Sequence, residues 1–161
     1  MGMEATSSYN RYGYKTAETD YNLDSTLYSY DEFYRPEEII YSDGNTVRYT
    51  YAENGRIEKV SLNGKETAFK YGKQGLMTKK TLSDGTSVEY TYNASGYPTR
   101  VVARMNGKIA ARTDYTYDKL FRLSKVTDLD GNATTYKYDE VGNLIKMVNP
   151  IGAVTEYCDC C

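Results

Sequence analysis

The sequence predicts an all-β fold: tandem antiparallel β-hairpin repeats joined into one twisted β-ribbon that curls on itself. Three observations carry that expectation. First, an aromatic-x-aromatic pair returns at Tyr28/Tyr30, Tyr49/Tyr51, Phe69/Tyr71, Tyr90/Tyr92, Tyr115/Tyr117 and Tyr136/Tyr138, and a seventh begins at Tyr157. The first members are spaced 21, 20, 21, 25, 21 and 21 residues apart, and a fixed period of that length marks a repeat architecture. Second, Gly44, Gly64, Gly85, Gly131 and Gly152 each stand five residues ahead of the next aromatic, so a second marker keeps the same beat. Third, Leu, Ile, Val and Phe make up only 27 of 161 residues while Tyr alone numbers 19, so apolar burial must be tyrosine burial.

Each repeat opens on a turn. Asp43, Asn63, Asp84, Asn106 and Asp130 immediately precede Gly44, Gly64, Gly85, Gly107 and Gly131. Asx-Gly between β-type runs signals a tight hairpin, because a type I′ turn needs positive φ at both central residues. Type I′ turns are therefore expected at all five. Gly107 precedes Tyr115 by eight residues, which a three-residue insertion within 108–113 explains. A second turn follows each aromatic pair, as in Ala52-Glu53-Asn54-Gly55, Asn93-Ala94-Ser95-Gly96 and Asp139-Glu140-Val141-Gly142. There an Asx side chain can bond its own backbone and Gly can take the left-handed position of a bulged loop. Tyr34 and Phe121 occupy that Gly position in two repeats, so those loops are expected to be distorted or longer.

Alternation assigns the faces, since successive residues of a strand point to opposite sides. One side carries Val47, Tyr49 and Tyr51, then Thr67, Phe69 and Tyr71, Val88, Tyr90 and Tyr92, and Thr134, Tyr136 and Tyr138. The other carries Arg48, Thr50, Lys70, Glu89, Asp114 and Lys137, a mixed-charge, wet face. In the return strands the recurring apolar residues (Ile57 and Val60, Leu123 and Val126, Leu144 and Met147) sit three apart, which changes parity. A bulge in each return strand, or burial on both faces, would reconcile them. Residues 26–157 hold about six repeats, 1–25 are read as a degenerate repeat or a flexible N-terminal arm, and 158–161 as a Cys-rich truncated end.

The formal net charge is −2, which gives no electrostatic reason to expect a nucleic-acid partner. No histidine is present, which removes the commonest general base and the imidazole metal ligands. No catalytic, cofactor-binding or metal-binding residues are therefore expected, and the carboxylate pairs such as Asp128/Asp130 and Asp139/Glu140 read as solvated turn charges. No window approaches the run of apolar residues that a membrane helix needs, so no membrane insertion is expected, and Met1–Thr6 lacks the basic-then-apolar pattern of a secretory signal.

A unit of Gly, five residues to Tyr-x-Tyr-Asp, then a Gly-containing turn and a Val- or Leu-bearing return strand, resembles the YD repeat of the Rhs (rearrangement hotspot) family, as in bacterial Rhs toxins, toxin-complex shell proteins and teneurins. Residues 130–144, from Asp130-Gly131 through Tyr136-Lys137-Tyr138-Asp139 to Asn143-Leu144, match it best. The resemblance implies a β-ribbon wound into a shell that encloses a toxic polypeptide, or one that presents an adhesive surface, and so implies an extracellular or cell-surface location. Shells of that family use many more repeats, so one copy of this chain would form part of a wall. Asn149-Pro150-Ile151-Gly152 is similar to the Asp-Pro-x-Gly of the family's self-cleaving segment, but it stands in the ordinary turn slot with Asn149 in place of Asp.

The expected function is a structural scaffold segment and not an enzyme, with an adhesion module that binds carbohydrate or protein through the tyrosine-rich face as the alternative. The repeat-defining residues are the twelve aromatics named above with Gly44, Gly64, Gly85, Gly107, Gly131 and Gly152. The expected partners are neighbouring repeats or other copies of the chain, joined by edge-strand pairing. Cys158, Cys160 and Cys161 crowd the last four positions and are candidates for thiol cross-links, or incidental thiols of a repeat cut short.

Overall fold

The structure is a computed structural model that describes residues 4–157. Fifteen strands follow in sequence order in an open antiparallel sheet. They are β1 (Thr6–Tyr9), β2 (Lys15–Thr19), β3 (Ser25–Tyr30), β4 (Pro36–Ile40), β5 (Thr46–Tyr51), β6 (Ile57–Leu62), β7 (Lys65–Tyr71) and β8 (Met77–Thr81). The series continues with β9 (Ser87–Tyr92), β10 (Pro98–Met105), β11 (Lys108–Tyr117), β12 (Leu123–Asp128), β13 (Ala133–Tyr138), β14 (Leu144–Val148) and β15 (Val154–Glu156). The chain divides into two compact units, one running to Lys70 with Thr81–Asp84 added, the other Tyr71–Lys80 with Gly85 onward. Within each unit strands touch only their sequence neighbours, so each unit is one layer.

A single layer has no second sheet to cover it, and the burial shows this. Among the described residues only Val102 and Ser87 are buried, and the paired tyrosines are half-buried. Alternation nevertheless holds at the aromatic end of every strand that carries an aromatic pair. In β5, Tyr49 and Tyr51 are half-buried while Arg48 and Thr50 are exposed, and β3, β9, β11 and β13 end in the same pattern. The opposite face is laced with cross-strand ion pairs: Glu38 with Arg48 (2.7 Å), Lys59 with Glu66 (3.1 Å), Glu89 with Lys79 (2.9 Å) and Arg104 (3.2 Å), and Lys146 with Glu156 (2.8 Å). Such half-exposed pairs contribute about 0–1 kcal/mol each and serve mainly to keep that face wet.

The parity conflict of the return strands is resolved by a bulge, placed identically each time. Tyr51 opposes Ile57, Thr50 opposes Lys59, and Glu58 is the extra residue between them. The same slip occurs at Thr16, Glu37, Thr99, Ser124 and Ile145. Its effect is to match a spacing of three to a spacing of two: Ile57 and Val60 face Tyr51 and Tyr49, Leu123 and Val126 face Tyr117 and Tyr115, and Leu144 and Met147 face Tyr138 and Tyr136.

Two expectations about turns are corrected. Type I′ geometry is found at Asn63-Gly64 and Asn106-Gly107, where Asn has φ 51° in both cases, but not at the Asp-Gly pairs. At Asp43-Gly44 the amide of Gly44 donates to Tyr41 O (3.0 Å) and that of Tyr41 to Asn45 O (2.9 Å), a five-residue loop with only Gly44 left-handed. Asp128–Asn132 forms the same loop, with Gly131 left-handed. The register dictates the difference: Leu62 pairs Lys65 and leaves two residues to turn, whereas Ile40 pairs Thr46 and leaves five. The second correction concerns Tyr34 and Phe121. Their loops are neither longer nor distorted, because both residues adopt the left-handed conformation themselves (φ 59° and 60°), with the same two backbone hydrogen bonds as the glycine loops.

The three-residue insertion lengthens one hairpin. β10 and β11 pair as far as Met105 with Lys108, with Ala110 bulged, whereas β11 meets β12 only from Thr113 with Asp128. The turn at Asn106-Gly107 therefore stands beyond the strand ends on the β12 side, with 105–110 exposed.

Candidate functional site

The chemically distinctive feature of this chain is a joint that recurs between successive hairpins. Its first part is an Asx turn. The side-chain oxygen of Asp31 accepts the amides of Phe33 (2.9 Å) and Arg35 (2.9 Å), Asn93 those of Ser95 (3.0 Å) and Tyr97 (3.0 Å), and Asp118 those of Leu120 (2.9 Å) and Arg122 (2.9 Å). Asp139 takes Gly142 (2.7 Å) and Asn143 (2.8 Å). These are the Asp and Asn residues that directly follow Tyr-x-Tyr, so that position earns its identity by satisfying loop amides. Asn149 holds Ile151 (3.2 Å) and Ala153 (2.8 Å) in the same way, so Asn149-Pro150-Ile151-Gly152 folds as an ordinary turn.

The second part is a hydroxyl latch. Tyr30 donates to Lys15 O (2.8 Å), Tyr51 to Pro36 O (2.7 Å), Tyr92 to Met77 O (2.7 Å), Tyr117 to Pro98 O (2.8 Å) and Tyr138 to Leu123 O (2.9 Å). Each acceptor is the first residue of the preceding return strand, and Lys15, Pro36, Pro98 and Leu123 stand immediately before a bulge residue. A bulge displaces that carbonyl from the regular ladder, and the phenol supplies its donor. Desolvation raises the hydroxyl pKa of Tyr51, Tyr92 and Tyr117, which keeps them protonated donors. The first tyrosines of the pairs have no such role, except that Tyr28 donates to Glu18 and is pushed up to about 12, chiefly by that hydrogen bond.

The third part is an arginine that ties a loop to the next repeat. Arg35 pairs with Asp31 (2.6 Å) and lies over the Tyr51 ring at 4.2 Å; Arg122 pairs with Asp118 (2.7 Å), lies over Tyr138 at 4.9 Å and donates to Asp139 O (2.7 Å). The Asp118 carboxyl is held below its ordinary range first by the Arg122 amide and then, against desolvation, by the guanidinium and the Leu120 amide. These same two loops carry the left-handed aromatics. Tyr34 stacks on Tyr14 (5.1 Å, 5°) and Phe121 on Tyr97 (5.2 Å, 8°), while Tyr14 also leans on Tyr30 (5.3 Å) and Tyr97 on Tyr117 (5.3 Å). Two clusters of one design result, the first extended by Tyr12, whose ring meets Tyr34 edge-on at 5.0 Å. Sequence reasoning missed Tyr14, Tyr97, Arg35 and Arg122. A tyrosine in the last slot of the preceding turn, with Arg four residues after Asp, was the available signal.

All twelve expected aromatics sit at the ends of β3, β5, β7, β9, β11 and β13, and Gly44, Gly64, Gly85, Gly107, Gly131 and Gly152 all have positive φ. Cys158, Cys160 and Cys161 lie outside the described residues. Between a loop that follows an aromatic-bearing strand, the second residue of the next strand and the next Tyr-x-Tyr lies an open depression, and it recurs. One of about 410 Å³ is bounded by the 72–76 loop, Thr78 and Tyr90-Thr91-Tyr92. One of about 400 Å³ lies between Asn10–Tyr12, Thr16 and Tyr28-Ser29-Tyr30, and one of about 280 Å³ between Asp31–Phe33, Glu37 and Tyr49-Thr50-Tyr51.

A family model described as RHS Repeat matches residues 122–154. The chain is 31% identical over 111 residues to the probable deoxyribonuclease RhsB of Dickeya dadantii (strain 3937), a match covering 68% of this chain and 7% of that protein. Among solved structures it resembles a chain of TcdB2-TccC3-Cdc42 (TM-score 0.72, 16% identity, 88% of this chain and 9% of the other). It also resembles a chain of the Photorhabdus luminescens Tc holotoxin pore (TM-score 0.65, 19% identity, 78% of this chain and 7% of the other). The chain thus spans less than a tenth of the length of each of these relatives, and the structural likeness concerns the fold. The match to the RHS Repeat model places residues 122–154 in the YD (Rhs) repeat family, and the same aromatic-x-aromatic beat runs through the rest of the chain.

Proposed function

We propose that the chain is a structural segment of YD-repeat scaffold, a stretch of the wall of an encapsulating shell or of a secreted or cell-surface repeat protein of polymorphic-toxin type. The observation that carries this is the joint: turn, bulge and hydroxyl latch recur at equivalent positions from Lys15 to Tyr138, so the recurring chemistry goes into joining neighbours. The name deoxyribonuclease belongs to a relative of which this chain matches 7%, so the scaffold reading assigns this segment no catalysis. Neighbouring repeats and further copies, meeting strand to strand, are its partners on this reading, and an extracellular or cell-surface setting fits the family. In a scaffold whose units touch only neighbours, one whole period is removable. Deleting residues 28–48, which joins Leu27 to Tyr49 in phase, should leave a β-sheet circular dichroism spectrum and a cooperative, lowered melting transition. Loss of all folded signal would refute the reading.

A second reading, adhesion through the tyrosine-rich face to carbohydrate or protein, is favoured by one observation, the depression beside Tyr12, which is 52% exposed and lies near Arg11 and Asp31. Rings with adjacent polar groups suit saccharide faces. Glycan-array binding that disappears in Tyr12→Ala would support it, and an array without hits would remove it.

A further inference from the structure

The chain contains two Asn-Gly-Lys tripeptides, Asn63-Gly64-Lys65 and Asn106-Gly107-Lys108, both in type I′ turns with Asn at φ 51°. Their local sequence and backbone are alike, but their side-chain surroundings are not. The Asn63 side-chain oxygen accepts the Thr46 amide (2.7 Å), its amide group donates to the Asn45 side chain, and its own backbone amide donates to Thr46 O (2.9 Å). Asn106 has no comparable bond among the described residues and stands at the exposed tip of the extended β10–β11 hairpin. The flanking glycines are equally open, with nothing within 4 Å of where a Cβ would stand.

We infer that Asn106 is a site of spontaneous, structure-selected deamidation, and that Asn63 is protected. In the reaction the Gly107 backbone nitrogen attacks the Asn106 side-chain carbonyl carbon, forming an N–C bond. The bond from that carbon to the side-chain nitrogen breaks, and ammonia departs with the proton that Gly107 loses. Water then opens the cyclic imide at either carbonyl, giving aspartate or isoaspartate. The left-handed backbone opposes the attack equally in both turns, so the side chain must first swing out of its resting position. At Asn63 that movement breaks two side-chain hydrogen bonds, and at Asn106 it breaks none. Either product places a new carboxylate beside Lys108. Isoaspartate also adds a methylene to a turn that must have two residues for Met105 to pair Lys108, so the hairpin tip is released.

The test is an ageing series of the full chain in mildly alkaline buffer, with peptide mapping by mass spectrometry and isoaspartate methyltransferase labelling. Folded protein should convert Asn106 about thirtyfold faster than Asn63, the factor that two side-chain hydrogen bonds of about 1 kcal/mol each supply. In concentrated urea the two rates should converge, because the tripeptides are the same. Asn45→Ala, a loop change that removes the acceptor of the Asn63 side-chain amide, should speed Asn63 and leave Asn106 unaltered. Equal rates in the folded state, or faster conversion at Asn63, would overturn the inference, as would a rate difference that survives in urea.

Discussion

Changing the second tyrosine of a pair to phenylalanine removes one oxygen and nothing else, so it isolates the latch. Tyr92 donates to Met77 O at 2.7 Å, while the hydroxyl of Tyr90, two residues away on the same face, has no protein partner among the described residues. A neutral hydrogen bond nets about 1 kcal/mol, and the ring that remains in Tyr92→Phe leaves no cavity. With a urea slope of about 2 kcal/mol per molar, the midpoint should fall by about 0.5 M for Tyr92→Phe and stay within error for Tyr90→Phe. Tyr138→Phe and Tyr136→Phe should repeat that contrast, since Tyr138 donates to Leu123 O. Circular dichroism during urea titration measures all four. Equal midpoints within each pair would show that the phenols bond water as well as they bond the return-strand carbonyls, and the joint would lose its central element.

Three further outcomes are expected. At Phe121 the usual order of substitutions should invert: Phe121→Gly relieves about 1 kcal/mol of left-handed strain and offsets the lost stacking on Tyr97, whereas Phe121→Ala keeps the strain and loses the ring, so alanine should melt lower than glycine. The Asp118 carboxyl, whose ordinary value is 3.8, is lowered in the folded state. Its contribution to stability is therefore present above 3.8 and lost as pH falls through the folded value, and Asp118→Asn should flatten the dependence of the urea midpoint on pH in that acid range. Tyr28, raised from 10.0 to about 12, contributes stability below 10.0 that is lost as pH rises through the folded value. Tyrosinate absorbance should show one late-ionising phenol, and Glu18→Gln should bring it back among the rest; no late phase in the parent protein would refute the Tyr28–Glu18 bond.

The fold was legible because its signals are local. Alternation in Thr46–Tyr51 and the left-handed glycines at Gly55, Gly96 and Gly142 need only a strand and a turn to act. For the return strands the sequence left a bulge or burial on both faces open, and the register decided for the bulge, which lets residues three apart face residues two apart. The turn types were partly written in the sequence and overlooked. Both two-residue turns are Asn-Gly, at Asn63-Gly64 and Asn106-Gly107, whereas at Asp43-Gly44, Asp84-Gly85 and Asp130-Gly131 only the glycine is left-handed.

The amino-acid sequence by itself thus determined the period, the hairpins, the aromatic and wet faces and the family, because each depends on side chains within a few residues of one another. Only the tertiary structure decided which carbonyl each tyrosine reaches, that Tyr34 and Phe121 can hold a glycine's conformation, and that Asn63 is clamped while Asn106 is not. Those outcomes depend on register. They join atoms 15 to 24 positions apart in sequence, as with Tyr138 and Leu123 O or Phe121 and Tyr97, and such pairs meet only after the strands have been laid side by side.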